Sequence, residues 1–291
     1  RSLVGSEMCI RDRYDEIHPV ERENVSLRNL RGVCAVIGQC CFALRSADGA
    51  PIPSMMAYRL YGWLLEQLPE DIGRQLHEQG EKPLSQYIRY DKAENRTLWV
   101  VSVFQGELYE LLEPVLESIS CIALRQTTLQ AALLDKRCFA SAQEFVLYAR
   151  ELRLPSRVTI RFHATSSFKQ DGSYVIFPQE RLLLRSLLAK WNAWFPEYSL
   201  DDEDAAAALE RGVRITDYQL RSGRYTLKSA RIPGFSGRLT LSSSLSAPMQ
   251  EVRNLLLVFS TLCGIGIKTT LGMGGVTLEI SPNSLLKEQE K

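Results

Sequence analysis

The chain has 291 residues, 45% hydrophobic and 24% charged, the make-up of a globular protein with room for two domains of about 130 residues each. Its 35 Lys and Arg stand against 34 Asp and Glu, a net charge of +1, which argues against a protein that coats nucleic acid by bulk charge. Seven cysteines without a CxxC pair argue against a zinc site and for a reducing cytoplasmic setting, with no metal and no cofactor expected. No apolar run reaches the roughly 18 residues a membrane span needs, so no membrane partner is expected.

The opening stretch RSLVGSEMCIRDR resembles translated sequencing-adapter read-through, and residues 1–28 are set apart from the fold. The apolar run CAVIGQCCFAL (34–44) predicts a strand ending in the Asp48-Gly49 turn. Met56, Leu60, Trp63, Leu64 and Leu68 recur at helical spacing and predict a helix that stops at Pro69. LSQYIRY (84–90) and TLWVVSVF (97–104) read as a strand pair. A helix follows over 106–119, with a kink or break expected at Pro114, and CIALRQTTL (121–129) reads as one closing strand. The order is βαββαβ.

The same order then repeats. RVTIRFHATSSF (157–168) alternates, with Val158, Ile160 and Phe162 on one face and Thr159, Arg161 and His163 on the other. A helix over about 179–195 comes next, then a hairpin of 213–220 and 224–232 turning at Ser222-Gly223, its second strand running on through 233–242 past a glycine bulge. Ser246 as N-cap and Pro248 in the first turn open a helix carrying Val252, Leu255, Leu256 and Phe259, and GVTLEI (275–280) closes the unit. The fold expected is α+β: two tandem ferredoxin-like domains with antiparallel sheets, at 29–150 and 151–282, and a tail at 283–291.

Charge is segregated. Arg211, Arg214, Arg221, Arg224, Lys228, Arg231 and Arg238 share their stretch with Asp217 alone, while Asp201, Asp202, Glu203, Asp204 and Glu210 precede it. An anionic partner feels that segregation rather than the total. Arg221, Arg224, Lys228 and Arg231 are candidate RNA-backbone contacts, against the alternative of an ordinary solvated hairpin. Arg161 and His163, on the polar strand face, are further candidates.

The sharpest motif is Gly264-Ile-Gly266-Ile-Lys268-Thr-Thr-Leu-Gly272-Met-Gly274-Gly275. Glycines let backbone N–H groups approach a phosphate closely, and Lys268 supplies a point charge. An ATP P-loop is ruled out, because Ile267 stands where that motif needs Gly and a helix precedes the loop. The competing reading is a glycine-rich turn that serves chain geometry alone.

The pattern GhGxxxxxGhG near the C-terminus resembles the signature loop of the Cas six family of CRISPR-associated endoribonucleases and of the RAMP superfamily. IRFHATSSF and GFSG agree with it, and the resemblance covers about 30–280. It implies two ferredoxin-like domains, CRISPR repeat RNA as partner, and metal-independent cleavage by 2′-OH attack. Carried over, LHE and the following lysine-proline pair in LHEQGEKPLSQY (76–87) place the general base at His77 and a supporting lysine at Lys82. The first-helix tyrosine of some family members falls on Leu65, leaving Tyr58 or Tyr61 to reach the site from another turn, or no tyrosine at all. His18 reads as a bystander and His163 as a rival base. A non-catalytic RNA-binding RAMP subunit of an effector complex is the alternative, with other effector subunits or a second copy as further partners. A protein-interaction module on the same fold is a third.

Overall fold

The computed structural model describes residues 37–78, 82–227 and 230–279. The first unit runs β1 (Ile37–Ser46), α1 (Met56–Glu66), α2 (Glu70–Glu78), β2 (Leu84–Asp91), β3 (Arg96–Val103), α3 (Gly106–Ser118), β4 (Cys121–Leu124) and β5 (Thr127–Phe139). Its antiparallel sheet has the order β2-β3-β1-β5-β4. Phe42, Trp99 and Leu129 of the sheet and Leu60, Leu64, Leu108 and Leu112 of α1 and α3 form one core, so both helices cover the same face.

The second unit runs α4 (Ala142–Glu151), β6 (Arg157–Ser166), the small hairpin β7 (Phe168–Gln170) and β8 (Ser173–Val175), α5 (Glu180–Trp194), α6 (Glu203–Gly212), β9 (Val213–Leu227), β10 (Ala230–Ser243), α7 (Ala247–Cys263) and β11 (Val276–Glu279). Its sheet order, β11-β6-β10-β9, is that of a ferredoxin-like domain. The predicted alternation of β6 is realised: Val158, Ile160, Phe162 and Ala164 are buried and their neighbours are not. α4 buries Phe145 and Val146 in the core that also holds Val158, Ile160 and Phe162 of β6. Among the described residues no helix is long and apolar enough to cross a membrane.

Three elements differ from expectation. CIALRQTTL is a hairpin turning at Arg125-Gln126, not one strand. Ile122 and Leu129 are both fully buried, and an odd separation would send them to opposite faces of a single strand; the turn brings them opposite each other, facing inward. The long hairpin does not turn at Ser222-Gly223, since Ser222 pairs with Phe235 and Gly223 with Gly234 inside it. Gly234 answers a close approach, because a Cβ there would lie 2.2 Å from the Ser166 carbonyl oxygen of β6. The expected bulge is present at Phe235/Gly237. Helix α3 passes through Pro114 unbroken, held by the buried Leu108, Leu112 and Leu116 on either side of it. Ser246 occupies the N-cap of α7 with Pro248 in the first turn as expected, although its hydroxyl makes no capping bond. Helices α2, α4 and α6 stand outside the expected βαββαβ order, although α4 carries a helical stripe of Ala142, Phe145, Val146 and Ala149 behind the N-cap Ser141, whose hydroxyl accepts from Glu144 N, and Asp202 caps α6.

The two units are fastened where the loop between α7 and β11 meets β2. Gln86 is buried; its amide nitrogen donates to the carbonyls of Ala57 (2.5 Å) and Thr270 (3.0 Å), and its oxygen accepts from Trp99 Nε1 at 2.7 Å. Thr270 Oγ1 donates back to Leu84 O at 2.9 Å, and Ser85 Oγ donates to Leu262 O. Gly272 has φ +98°, and a Cβ on it would sit 2.4 Å from Ala57 Cβ. A side chain there meets both a backbone penalty and a clash across the junction. Gly272→Ala is therefore expected to lower the unfolding free energy by about 2–4 kcal/mol; a urea titration that returns the wild-type midpoint would show that the loop has room to yield.

Candidate active site

Between the two units lies a cleft of about 1370 Å³. Helix α1 lines it with Tyr58, Arg59 and Tyr61; the β4–β5 turn adds Arg125, β7 adds Lys169, and the hairpin end adds Leu227 and Ile232. Lys82, just ahead of β2, and Lys268, in the glycine loop, complete the wall. Helix α5 contributes Arg185, Ser186 and Lys190. The cations of this lining are Arg59, Lys82, Arg125, Lys169, Arg185, Lys190 and Lys268, against Glu66 as the one carboxylate among the described lining residues. A cleft so lined concentrates positive potential in a molecule of net charge +1. Arg59, Arg125 and Lys169 stand isolated in the sequence, so no local pattern marks them; tertiary structure alone gathers them.

Lys268 is exposed and left-handed (φ 56°), which turns the chain at the head of the short Thr269–Leu271 helical turn. The glycines around it act differently from the phosphate cradle that the motif suggests. The amide of Gly264 donates to Ser260 O (2.9 Å), Gly272 to Thr269 O (3.4 Å) and Gly274 to Thr165 O (3.1 Å). Gly266 donates to Ser186 Oγ (3.1 Å). With these four donors committed inside the fold, Gly264, Gly266, Gly272 and Gly274 shape the loop and pack it. Lys190, buried, reinforces the loop by donating to Gly264 O (3.0 Å) and Cys263 O (3.3 Å).

His77 lies in the last turn of α2, and its side chain is outside the described residues, as are Lys228 and His18. The buried Leu76 beside it belongs to the core of the first unit, and Lys82 follows after the undescribed 79–81. Leu65 and both tyrosines of α1 line the cleft. The Tyr61 hydroxyl is buried without a hydrogen-bond partner among the described residues, and burial pushes its pKa up to about 12, so it stays protonated. Among the described residues no group of three or more His, Cys, Asp or Glu is placed to hold a metal ion.

The other candidates stand outside this lining. Arg221 and Arg224 are exposed within β9 rather than at a turn, and the register puts Arg231 opposite Thr226, on the face of Arg224, while Arg221 takes the other. The hairpin's inner face reaches the loop through Tyr225, whose hydroxyl donates to Leu271 O at 2.8 Å. Arg161 pairs with Glu279 (3.2 Å), which also takes Arg238 (2.9 Å).

His163 stacks on Tyr87 across the junction (6.3 Å between centroids, 14° between planes), with Nε2 2.8 Å from Thr277 Oγ1. Burial, followed by the charges of Arg89 and Arg161, lowers its pKa from 6.5 to about 4. The folded state thus favours the neutral ring, and the unfolded chain takes up the proton first as pH falls. The stability this carries is complete above pH 6.5 and drains away between 6.5 and 4. His163→Gln should flatten that stretch of the stability curve, read by urea unfolding at pH 7 and pH 5; equal slopes in the two proteins would refute the assignment.

Residues 160–276 match the family described as CRISPR-associated endoribonuclease Cas6. The chain is 30% identical over 234 residues to the CRISPR-associated endoribonuclease Cas6 of Streptococcus thermophilus, covering 77% of this chain and 91% of that protein. To its counterpart in Mycobacterium tuberculosis it is 26% identical over 226 residues, covering 76% and 70%. Among solved structures, Thermus thermophilus Cas6 has a TM-score of 0.65 at 21% identity, covering 85% of this chain and 100% of that one. A Cas6 product complex has a TM-score of 0.67 at 19% identity, covering 84% and 99%. The structural likeness speaks for the fold, two tandem ferredoxin-like domains; together with identity of 30% along 91% of the streptococcal protein, it shows that the chain belongs to the Cas6 family of CRISPR-associated endoribonucleases.

Proposed function

We propose that this chain cuts CRISPR repeat RNA without a metal ion, by attack of a ribose 2′-OH on the adjacent phosphorus. The observation that carries the reading is the cleft whose described lining holds seven cations and one carboxylate, in a chain otherwise balanced in charge. RNA carries its own nucleophile, so the protein must take the 2′ proton, hold the strand in line, and steady the charge that develops on the phosphoryl oxygens. The His77 imidazole takes the proton; the new 2′-O–P bond forms as the P–O5′ bond breaks, and the departing 5′ oxygen is protonated. Lys82 and Lys268 face the non-bridging oxygens. The products are a 2′,3′-cyclic phosphate and a 5′-hydroxyl end.

Strand binding falls to the cleft cations and to Arg221, Arg224, Lys228 and Arg231 of the hairpin, as phosphate contacts that position the RNA rather than read its bases. Tyr58 and Tyr61, within the lining, offer aromatic surface beside Leu65, where some family members carry the first-helix tyrosine.

Cleavage of end-labelled repeat RNA tests this directly. Full activity is expected in excess EDTA, with a cyclic phosphate at the new 3′ end. His77→Ala should slow cutting by about 10²–10⁴ and Lys82→Ala by about 10²–10³, with RNA affinity within a few-fold of wild type. Undiminished cutting by His77→Ala would remove the base assignment, and loss of activity on chelation would remove the metal-free chemistry.

A further inference from the structure

One face of α5 lines the cleft, through Leu182, Arg185, Ser186, Ala189 and Lys190. Arg185 on that face is engaged by the acidic helix α6. Its Nη1 and Nη2 donate to the two carboxylate oxygens of Glu203, each at 2.8 Å, and its Nε donates to Glu210 Oε1 at 2.5 Å. The two carboxylates are unlike. The Glu203 side chain is 78% exposed, at the start of α6, and that of Glu210 is 21% exposed.

We propose that Arg185 is a further RNA phosphate-binding residue of the cleft, held in reserve by Glu203, whose carboxylate occupies the guanidinium fork where an RNA phosphodiester would sit. This rests on the reading of the cleft as the RNA site. A fork that fits two carboxylate oxygens also fits two phosphate oxygens at the same spacing. Glu210 keeps Nε and with it the plane of the guanidinium, so exchange at the outer edge needs no reorientation of the arginine. Glu203, once displaced, returns to water it already touches, and the phosphodiester that replaces it restores the same two-pronged, charge-assisted contact. The acidic segment ahead of the basic hairpin thereby supplies an intramolecular anion that incoming RNA must replace.

The test is equilibrium binding of repeat RNA with 2′-O-methyl riboses, which has no attacking hydroxyl, to the full chain across a salt series. Glu203→Gln should tighten binding roughly two- to fivefold. The slope of log K against log salt should fall in magnitude by up to about 0.7 in Arg185→Ala, the value for one phosphate contact on a single strand. Arg185→Ala should weaken binding and erase the gain from Glu203→Gln in the double variant; Arg185→Lys, which keeps the charge and loses the fork, serves if the alanine variant unfolds. Affinity unchanged in Glu203→Gln, the same gain with Arg185 absent, or an unchanged slope in Arg185→Ala would overturn the proposal while leaving the RNA site standing. A wild-type chain that binds the RNA at no salt concentration would overturn the RNA site itself.

Discussion

The junction that forms the site is centred on a buried carboxamide. Gln86 touches both units at once, and each of its polar atoms has a partner: Trp99 within its own sheet, Ala57 at the start of α1, and Thr270 in the loop of the other unit. A buried amide in this state is directional and expensive to disturb, because breaking one contact leaves a polar group unsatisfied in a dry environment. It works beside the Thr270–Leu84 and Ser85–Leu262 hydrogen bonds, and Phe104 of the first unit stacks on Trp194 and packs edge-on against Phe259 of the second, so Lys82, two residues before β2, and Lys268, two residues before Thr270, stand on joined bodies.

Charge follows the same logic. The chain is almost neutral, yet its cations converge from α1, the β4–β5 turn, β7, α5 and two loops upon one cavity. The neutralising carboxylates are not spread evenly; Glu203 and Glu210 hold Arg185 at the cavity wall, and Glu279 holds Arg161 and Arg238 on the second sheet. Cations of equal formal charge thus differ in what they offer an anion, according to partners far away in sequence.

Elements governed by period are legible in the sequence. The alternation of β6 and the apolar stripe of α1 fold as their residues dictate, since each puts its apolar side chains on one face for a core to cover, and α7 opens at Ser246 with Pro248 in its first turn. Glycine is harder, because the same residue answers opposite demands. Gly223 lies in the middle of a long strand, where its neighbours suggest a turn, and Gly234 across from it makes room for β6. The loop glycines, which the motif marks as donors toward a ligand, donate inward instead. Whether a glycine amide is free depends on acceptors such as Thr165 O and Ser186 Oγ, which arrive from elements 80 or more residues away. No local pattern contains that information, whereas the place of Lys268 at the cleft is legible, because its side chain follows the loop's surface.

The choice between bases turns on the same distinction between engaged and available groups. A general base must reach the hydroxyl it deprotonates and have a pKa near the working pH. His163 meets neither requirement: its ring is stacked on Tyr87, its Nε2 is spent on Thr277, its pKa lies near 4, and it is not among the residues lining the cleft. Its neutrality suits a junction, where a charged imidazole would sit beside Arg89 and Arg161. His77 stands at the end of a polar helix whose buried anchor among the described residues is Leu76, on the segment leading straight to Lys82 and the cleft. A histidine clamped between two sheets, by contrast, serves to hold them together.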